Sequence, residues 1–76
     1  MKPIATVDAR GLLCPLPVLR TRKVLSGLSD GDVIAVLTDD PAALIDLPHF
    51  CAEAGHGLVG HASAGGHETF TIRKGG

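Results

Sequence analysis

The chain has 76 residues, enough for one domain spanning residues 1–76 and no more. With 45% apolar and 20% charged residues it is too apolar and too weakly charged to be disordered. Seven Lys and Arg against eight Asp and Glu leave a net charge of −1, and the only aromatics are Phe50 and Phe70. Neither a basic footprint nor a stacking platform for nucleic acid exists, so no direct nucleic-acid binding is expected.

The two cysteines, Cys14 and Cys51, are too few for the disulfide framework of a small secreted domain. They read as free thiols in a reducing compartment. Asp8 and Arg10 interrupt the start before an apolar signal segment could form. The longest strongly apolar run, residues 33–37, falls far short of the about 20 residues a membrane span needs. A soluble, cytoplasmic protein with no membrane contact is expected.

In chain order, the β-branched residues 4–7 predict a first strand. A loop follows, and residues 15–26 predict a helix with Pro15 at its first position, Cys14 as its N-cap and Gly27 as its stop. At about 100° per residue, Pro17, Val18, Thr21, Val24, Leu25 and Leu28 share a charge-free arc, the buried face. The opposite arc carries Arg20, Arg22 and Lys23 together with Leu16 and Leu19. Residues 29–32 predict a turn and residues 33–37 a central strand. Asp40 is placed as an N-cap with Pro41 after it. Pro48 predicts a break, giving a short turn over 41–46 and a helix over 47–54 that Gly55 ends. Residues 58–63 and 68–73 predict two strands around the turn Ala64-Gly65-Gly66. The order is β-α-β-α-β-β. It predicts an α+β fold, a two-layer α/β sandwich with both helices on one face of a four-stranded mixed sheet.

Cys14 is the chemical focus. A helix N-terminus and a nearby cation both lower a thiol's pKa from about 8.5. Pro15 supplies the first feature and Arg10 the second. Pro15 and Pro17 lack N–H groups, leaving the N–H of Leu16 as the thiolate's expected donor, while Gly11 lets the loop fold tightly. From composition alone such a cysteine is as readily a small buried filler as a nucleophile; the Cys-Pro-x-Pro context favours the nucleophile. No second cysteine lies within a turn, so a thioredoxin-type dithiol cycle is excluded. The four histidines all lie in the second half, and a chain this short lacks walls for a hydrolase pocket. A lone activated thiol can still carry a group, which favours a carrier over a stand-alone enzyme.

These residues carry a resemblance. Asp8-x-Arg10-Gly11-Leu12-x-Cys14-Pro15-x-Pro17 resembles the signature of the TusA/SirA family of small sulfur carriers. Asp39-Asp40-Pro41-Ala42, Asp46-Leu47-Pro48-x-Phe50-Cys51 and Arg73-Lys74-Gly75-Gly76 continue it, and resemble TusA proper more than its distant paralogues. The resemblance implies a βαβαββ sandwich similar to the C-terminal domain of translation initiation factor three. It implies a persulfide on Cys14, received from a cysteine desulfurase and passed to a downstream acceptor protein with a reactive cysteine. In the family's best-known pathway the sulfur ends in 2-thiouridine of tRNA; related members serve molybdenum-cofactor assembly or oxidative sulfur metabolism. No cofactor is implied, and a transient carrier is expected to act as a monomer.

Around the thiol, Asp8 is expected to position Arg10, with Gly11, Pro15, Leu16 and Pro17 shaping the loop. Leu16, Leu19, Arg20 and Lys23 read as a docking surface for donor and acceptor, since interfaces favour apolar and cationic residues together. The bland reading of the same residues is a solvated helix face. Asp40, primarily a cap, is a further candidate partner contact. Cys51 reads as a buried structural thiol, and His49, Cys51 and His56 match no zinc spacing, so no metal site is expected. Gly75-Gly76 resembles the thiocarboxylate-bearing end of ubiquitin-like carriers, but the β-grasp order is missing, and a frayed tail is the simpler expectation. The reading from another class is a regulatory interaction module that moves no sulfur and tolerates loss of the Cys14 thiol.

Overall fold

An apolar run bounded by turns is most stable in the middle of a sheet, where neighbours cover it. The computed structural model describes residues 2–75 and places the run there. The elements are β1 (Ala5–Asp8), α1 (Leu16–Ser26), β2 (Val33–Thr38), α2 (Ala43–Ala54), β3 (Gly57–Ala64) and β4 (His67–Arg73). One sheet runs β1-β2-β4-β3, with β1 parallel to β2 and β4 antiparallel to both its neighbours. The βαβαββ order and mixed four-stranded sheet match the expectation.

The register puts Val7 beside Val36, Val36 beside Phe70 and Ile34 beside Ile72, which lines up one apolar face. Leu25 of α1 and Leu47, Phe50 and Cys51 of α2 pack onto it as a single core. Each large side chain buried there contributes roughly 1.5–3 kcal/mol. Thr21 is fully buried on the inner face of α1 and is tolerated because its Oγ1 donates to the Pro17 carbonyl at 2.8 Å. The other sheet face carries Thr6, Leu37, Thr69 and Thr71, all at least partly exposed. Gly65 and Gly66 both have positive φ, 63° and 80°, as a tight hairpin turn requires. Among the described residues no helix is long and apolar enough to cross a membrane.

Four local expectations are corrected. Helix α1 starts at Leu16, with Pro15 in the cap position and no side-chain cap, so Cys14 stands just outside the helix instead of capping it. The N–H of Leu16 donates to the Leu13 carbonyl at 2.8 Å, a backbone partner that displaces the sulfur expected there. Helix α2 runs unbroken from Ala43 through Pro48 to Ala54. An interior proline removes one hydrogen bond and crowds the carbonyl four residues back, at about 3 kcal/mol, and here the burial of Leu47, Phe50 and Cys51 on either side of it offsets that cost. The end of the chain is not frayed through Gly75. Lys74 N–H donates to Asp32 O and Gly31 N–H to Lys74 O, while Gly75 N–H donates to His56 Nδ1 at 3.1 Å. Gly76 lies outside the described residues.

Candidate functional site

Because β1 and β2 are parallel neighbours, the loops leaving their C-terminal ends emerge side by side. One loop leads to Cys14 and α1; the other, with Asp39 and Asp40, leads to α2. Gly11 takes a φ of +79°, open to glycine without strain, and its N–H donates to Asp39 Oδ1 at 2.9 Å. The N–H of Cys14 donates to Asp40 Oδ2 at 2.7 Å, and the other oxygen of that carboxylate accepts from the Ala42 N–H at 3.2 Å. Helix α2 starts at Ala43 with Ala42 in the cap position and no side-chain cap, so the N-cap expected of Asp40 is corrected: its carboxylate closes the turn before α2 and pins the cysteine loop at once. It is buried, with both oxygens engaged inward, so it supports the thiol from beneath; the outward partner contact considered for it does not fit this placement.

Cys14 is exposed and free of any disulfide. Its Sγ donates to Asp46 Oδ2 at 2.8 Å. That hydrogen bond stabilises the protonated thiol and raises its pKa above the ordinary value; slight desolvation and the charges of Asp46 and Asp40 act in the same direction. Activation by Arg10 is therefore corrected. The Arg10 guanidinium is engaged by Asp8, through Nε at 2.9 Å and Nη2 at 2.8 Å. Asp8 does position Arg10, but the pair braces the loop and leaves the sulfur to Asp46.

The Asp8–Arg10 pair has its own expected signature. Hydrogen bonding to Arg10 holds the Asp8 carboxyl down at about 2. A carboxylate with a lowered folded-state pKa stabilises the fold above its ordinary pKa and loses that contribution as pH falls toward the lowered value. An NMR titration should find Asp8 charged well below pH 3.8 and protonating near 2. A normal carboxyl titration would show that the pair does not persist in solution. Both side chains are about half exposed, so added salt should weaken it.

Two clefts flank α1. One, of about 440 Å³, is bordered by Cys14, Val18, Arg22, Asp46, His49 and Phe50. There Arg22 lies 5.4 Å from the centre of the Phe50 ring, a cation–π contact, and His49 Nε2 meets Glu53 at 3.2 Å. The other, about 240 Å³, gathers Leu12, Leu16, Leu19, Arg20 and Lys23. Leu16 and Leu19 are about half exposed, and neither Arg20 nor Lys23 has an ion-pair partner among the described residues. Of the apolar-cationic set read from the helix arc, Leu16, Leu19, Arg20 and Lys23 share this cleft, whereas Arg22 borders the other one beside Phe50. Pro17 is buried on the inner side of α1. Cys51 is buried in the core, where burial raises its pKa, while His49 pairs with Glu53 and His56 with Gly75. Those three residues do not converge.

Sequence reasoning missed Asp46 as a partner of the thiol. It was placed at a helix break, and only an unbroken α2 puts it on the same face as His49 and Phe50, opposite Cys14.

The fold and site define a small two-layer βαβαββ domain that presents one exposed, free thiol just ahead of its first helix. A family profile described as sulfurtransferase TusA matches residues 5–74, and the chain belongs to that family. The crystal structure of a SirA-like protein from Desulfitobacterium hafniense is similar over 96% of this chain and 100% of its own, at 31% identity and a TM-score of 0.84.

Proposed function

We propose that this domain is a cytoplasmic sulfur carrier that holds sulfane sulfur as a persulfide on Cys14. It takes the sulfur from a cysteine desulfurase and delivers it to a reactive cysteine of a downstream protein, ending in 2-thiouridine of tRNA. The observation that carries the reading is an exposed, free thiol held at the head of α1 by the carboxylates of Asp40 and Asp46, in a chain of the TusA family. The choice of pathway rests on the TusA-like segments 39–42, 46–51 and 73–76. No stable substrate pocket is needed, since the electrophile arrives on another protein.

Intact mass after incubation with a cysteine desulfurase and cysteine tests this. A gain of about 32 Da per sulfur atom, removed by reductant, is expected on the wild type. No gain would leave the interaction-module reading in its place.

The surface of Leu16, Leu19, Arg20 and Lys23 suits docking of an acidic, partly apolar partner beside the thiol. Leu19→Glu should slow sulfur transfer about tenfold, as loss of one interface anchor does. Because Leu19 is exposed, thermal stability should stay within about 0.5 kcal/mol of wild type. Unchanged transfer kinetics would assign those residues to an ordinary solvated face.

A further inference from the structure

A carrier thiol has two opposed tasks. It must attack a sulfane sulfur when loading, and it must leave as a thiol when the sulfur is delivered. Both tasks move one proton at Sγ. The side chain in contact with that proton is Asp46, 2.8 Å away. Asp46 is fixed by its own helix, its N–H donating to the Ala42 carbonyl at 2.9 Å.

Among the surrounding charged groups, none but Asp46 bonds to the sulfur, and the Asp40 carboxylate adds only its charge to the same effect. From the β1–α1 loop, Arg10 is engaged by Asp8. From α1, Arg22 lies over Phe50. On α2, His49 is paired with Glu53. From the β2–α2 loop, Asp40 takes the backbone N–H of Cys14, not its sulfur.

We propose that Asp46 is the proton acceptor and donor of Cys14, keeping the thiol protonated at rest and taking its proton as the sulfur attacks. This rests on the sulfur-carrier reading for the identity of the electrophile. During loading, Sγ bonds to the outer sulfur of the donor's persulfide, R–S–SH. The donor's S–S bond breaks and its electron pair leaves on the donor thiolate. The Cys14 proton passes to Asp46 Oδ2 and from there to that thiolate. The products are Cys14–S–SH and R–SH, with no external oxidant or reductant. Delivery runs the same path backwards: the attacking acceptor thiol, R′–SH, gives its proton to Asp46 Oδ2, its sulfur bonds to the outer sulfur of Cys14–S–SH, and as that S–S bond breaks Asp46 passes the proton to Sγ, leaving R′–S–SH and Cys14–SH. A thiol of raised pKa is a poor leaving group unless protonated, so the sulfur stays on Cys14 until a partner thiol attacks and its proton reaches Sγ through Asp46.

The test is Asp46→Asn, with Asp46→Glu as the conservative control, in two assays on the full chain. The first follows iodoacetamide alkylation of Cys14 against pH. The Asn variant should shift its midpoint to lower pH, making the thiol more reactive toward a small alkylating agent at neutral pH. The second follows persulfide loading by a cysteine desulfurase. There the same variant should load about 100-fold more slowly, the typical loss of a general base, and the Glu variant should recover part of the rate. Opposite changes in the two assays are what a purely structural role would not produce. An unmoved alkylation midpoint overturns the pairing, and normal loading of the Asn variant overturns the proton transfer. If the wild type takes up no sulfur, the carrier reading fails and with it the part of Asp46 in sulfur transfer. The alkylation midpoint then decides by itself whether Asp46 governs the thiol.

Discussion

Cys14→Ser is expected to abolish sulfur loading while leaving the fold intact. A serine hydroxyl is close in size to the thiol and can still donate to Asp46, so the loop has no reason to rearrange. Cys14 is exposed, and a surface substitution of this kind stays within about 0.5 kcal/mol of the parent. Reactivity is another matter. Transfer proceeds by attack of sulfur on sulfur, and a hydroxyl offers no comparable nucleophile near neutral pH. The variant should therefore show no reductant-labile mass gain. The natural control is inside the molecule: Cys51 is 2% exposed, packed in the core, with its thiol pushed up by burial. It should not load in place of Cys14. A gain on the serine variant equal to that of the wild type would move the sulfur to Cys51 or to the Gly75-Gly76 end and overturn the site. Equal loss of activity by unfolding is separated by circular dichroism, which should be unchanged.

Asp40→Ala is expected to give the largest loss of stability among the site residues, and a loss of loading with it. The buried carboxylate accepts the N–H of Cys14 and the N–H of Ala42, joining the two loops that form the site. A hydrogen bond to a charged group contributes about 1.5–3 kcal/mol. Truncation should cost about 2–4 kcal/mol, because both donors are left in a poorly solvated position. In a small domain whose total stability is of order 5 kcal/mol, that is a melting point lower by roughly 10 °C or more. Asp40→Asn keeps one acceptor oxygen and should fall between the two. Loading of the alanine variant, measured well below its melting point, should also drop, since the backbone tie behind the sulfur is gone. A melting point indistinguishable from wild type would show that Asp40 is not the joint between the loops.

Legibility differs from element to element for a physical reason. The inner face of α1 was readable because side chains at 3.6-residue spacing report their own burial; Pro17, Thr21 and Leu25 are buried as the arc predicts. The central position of β2 followed from five consecutive apolar residues, and the β3–β4 hairpin from adjacent glycines. Helix boundaries were less readable. The first turn of α1 depended on whether Leu16 bonded to sulfur or to the Leu13 carbonyl, and the sequence holds both options. Pro48 announced a break that the packing of Leu47, Phe50 and Cys51 overrode.

By itself, then, the sequence determined the order of elements, the face that α1 buries and the position of a thiol at the entry to the first helix, all of which are local periodicities or local turn chemistry. The tertiary structure alone decided what surrounds that thiol. Gly11 meets Asp39 across 28 residues, Cys14 N–H meets Asp40 across 26, and the sulfur meets Asp46 across 32. No periodicity reaches that far. These contacts exist because β1 and β2 pair in parallel, which brings both of their C-terminal loops to one end of the sheet. There the acidic loop and the second helix close on the cysteine, and the charge set beside the sulfur is an aspartate instead of the arginine two positions from Asp8.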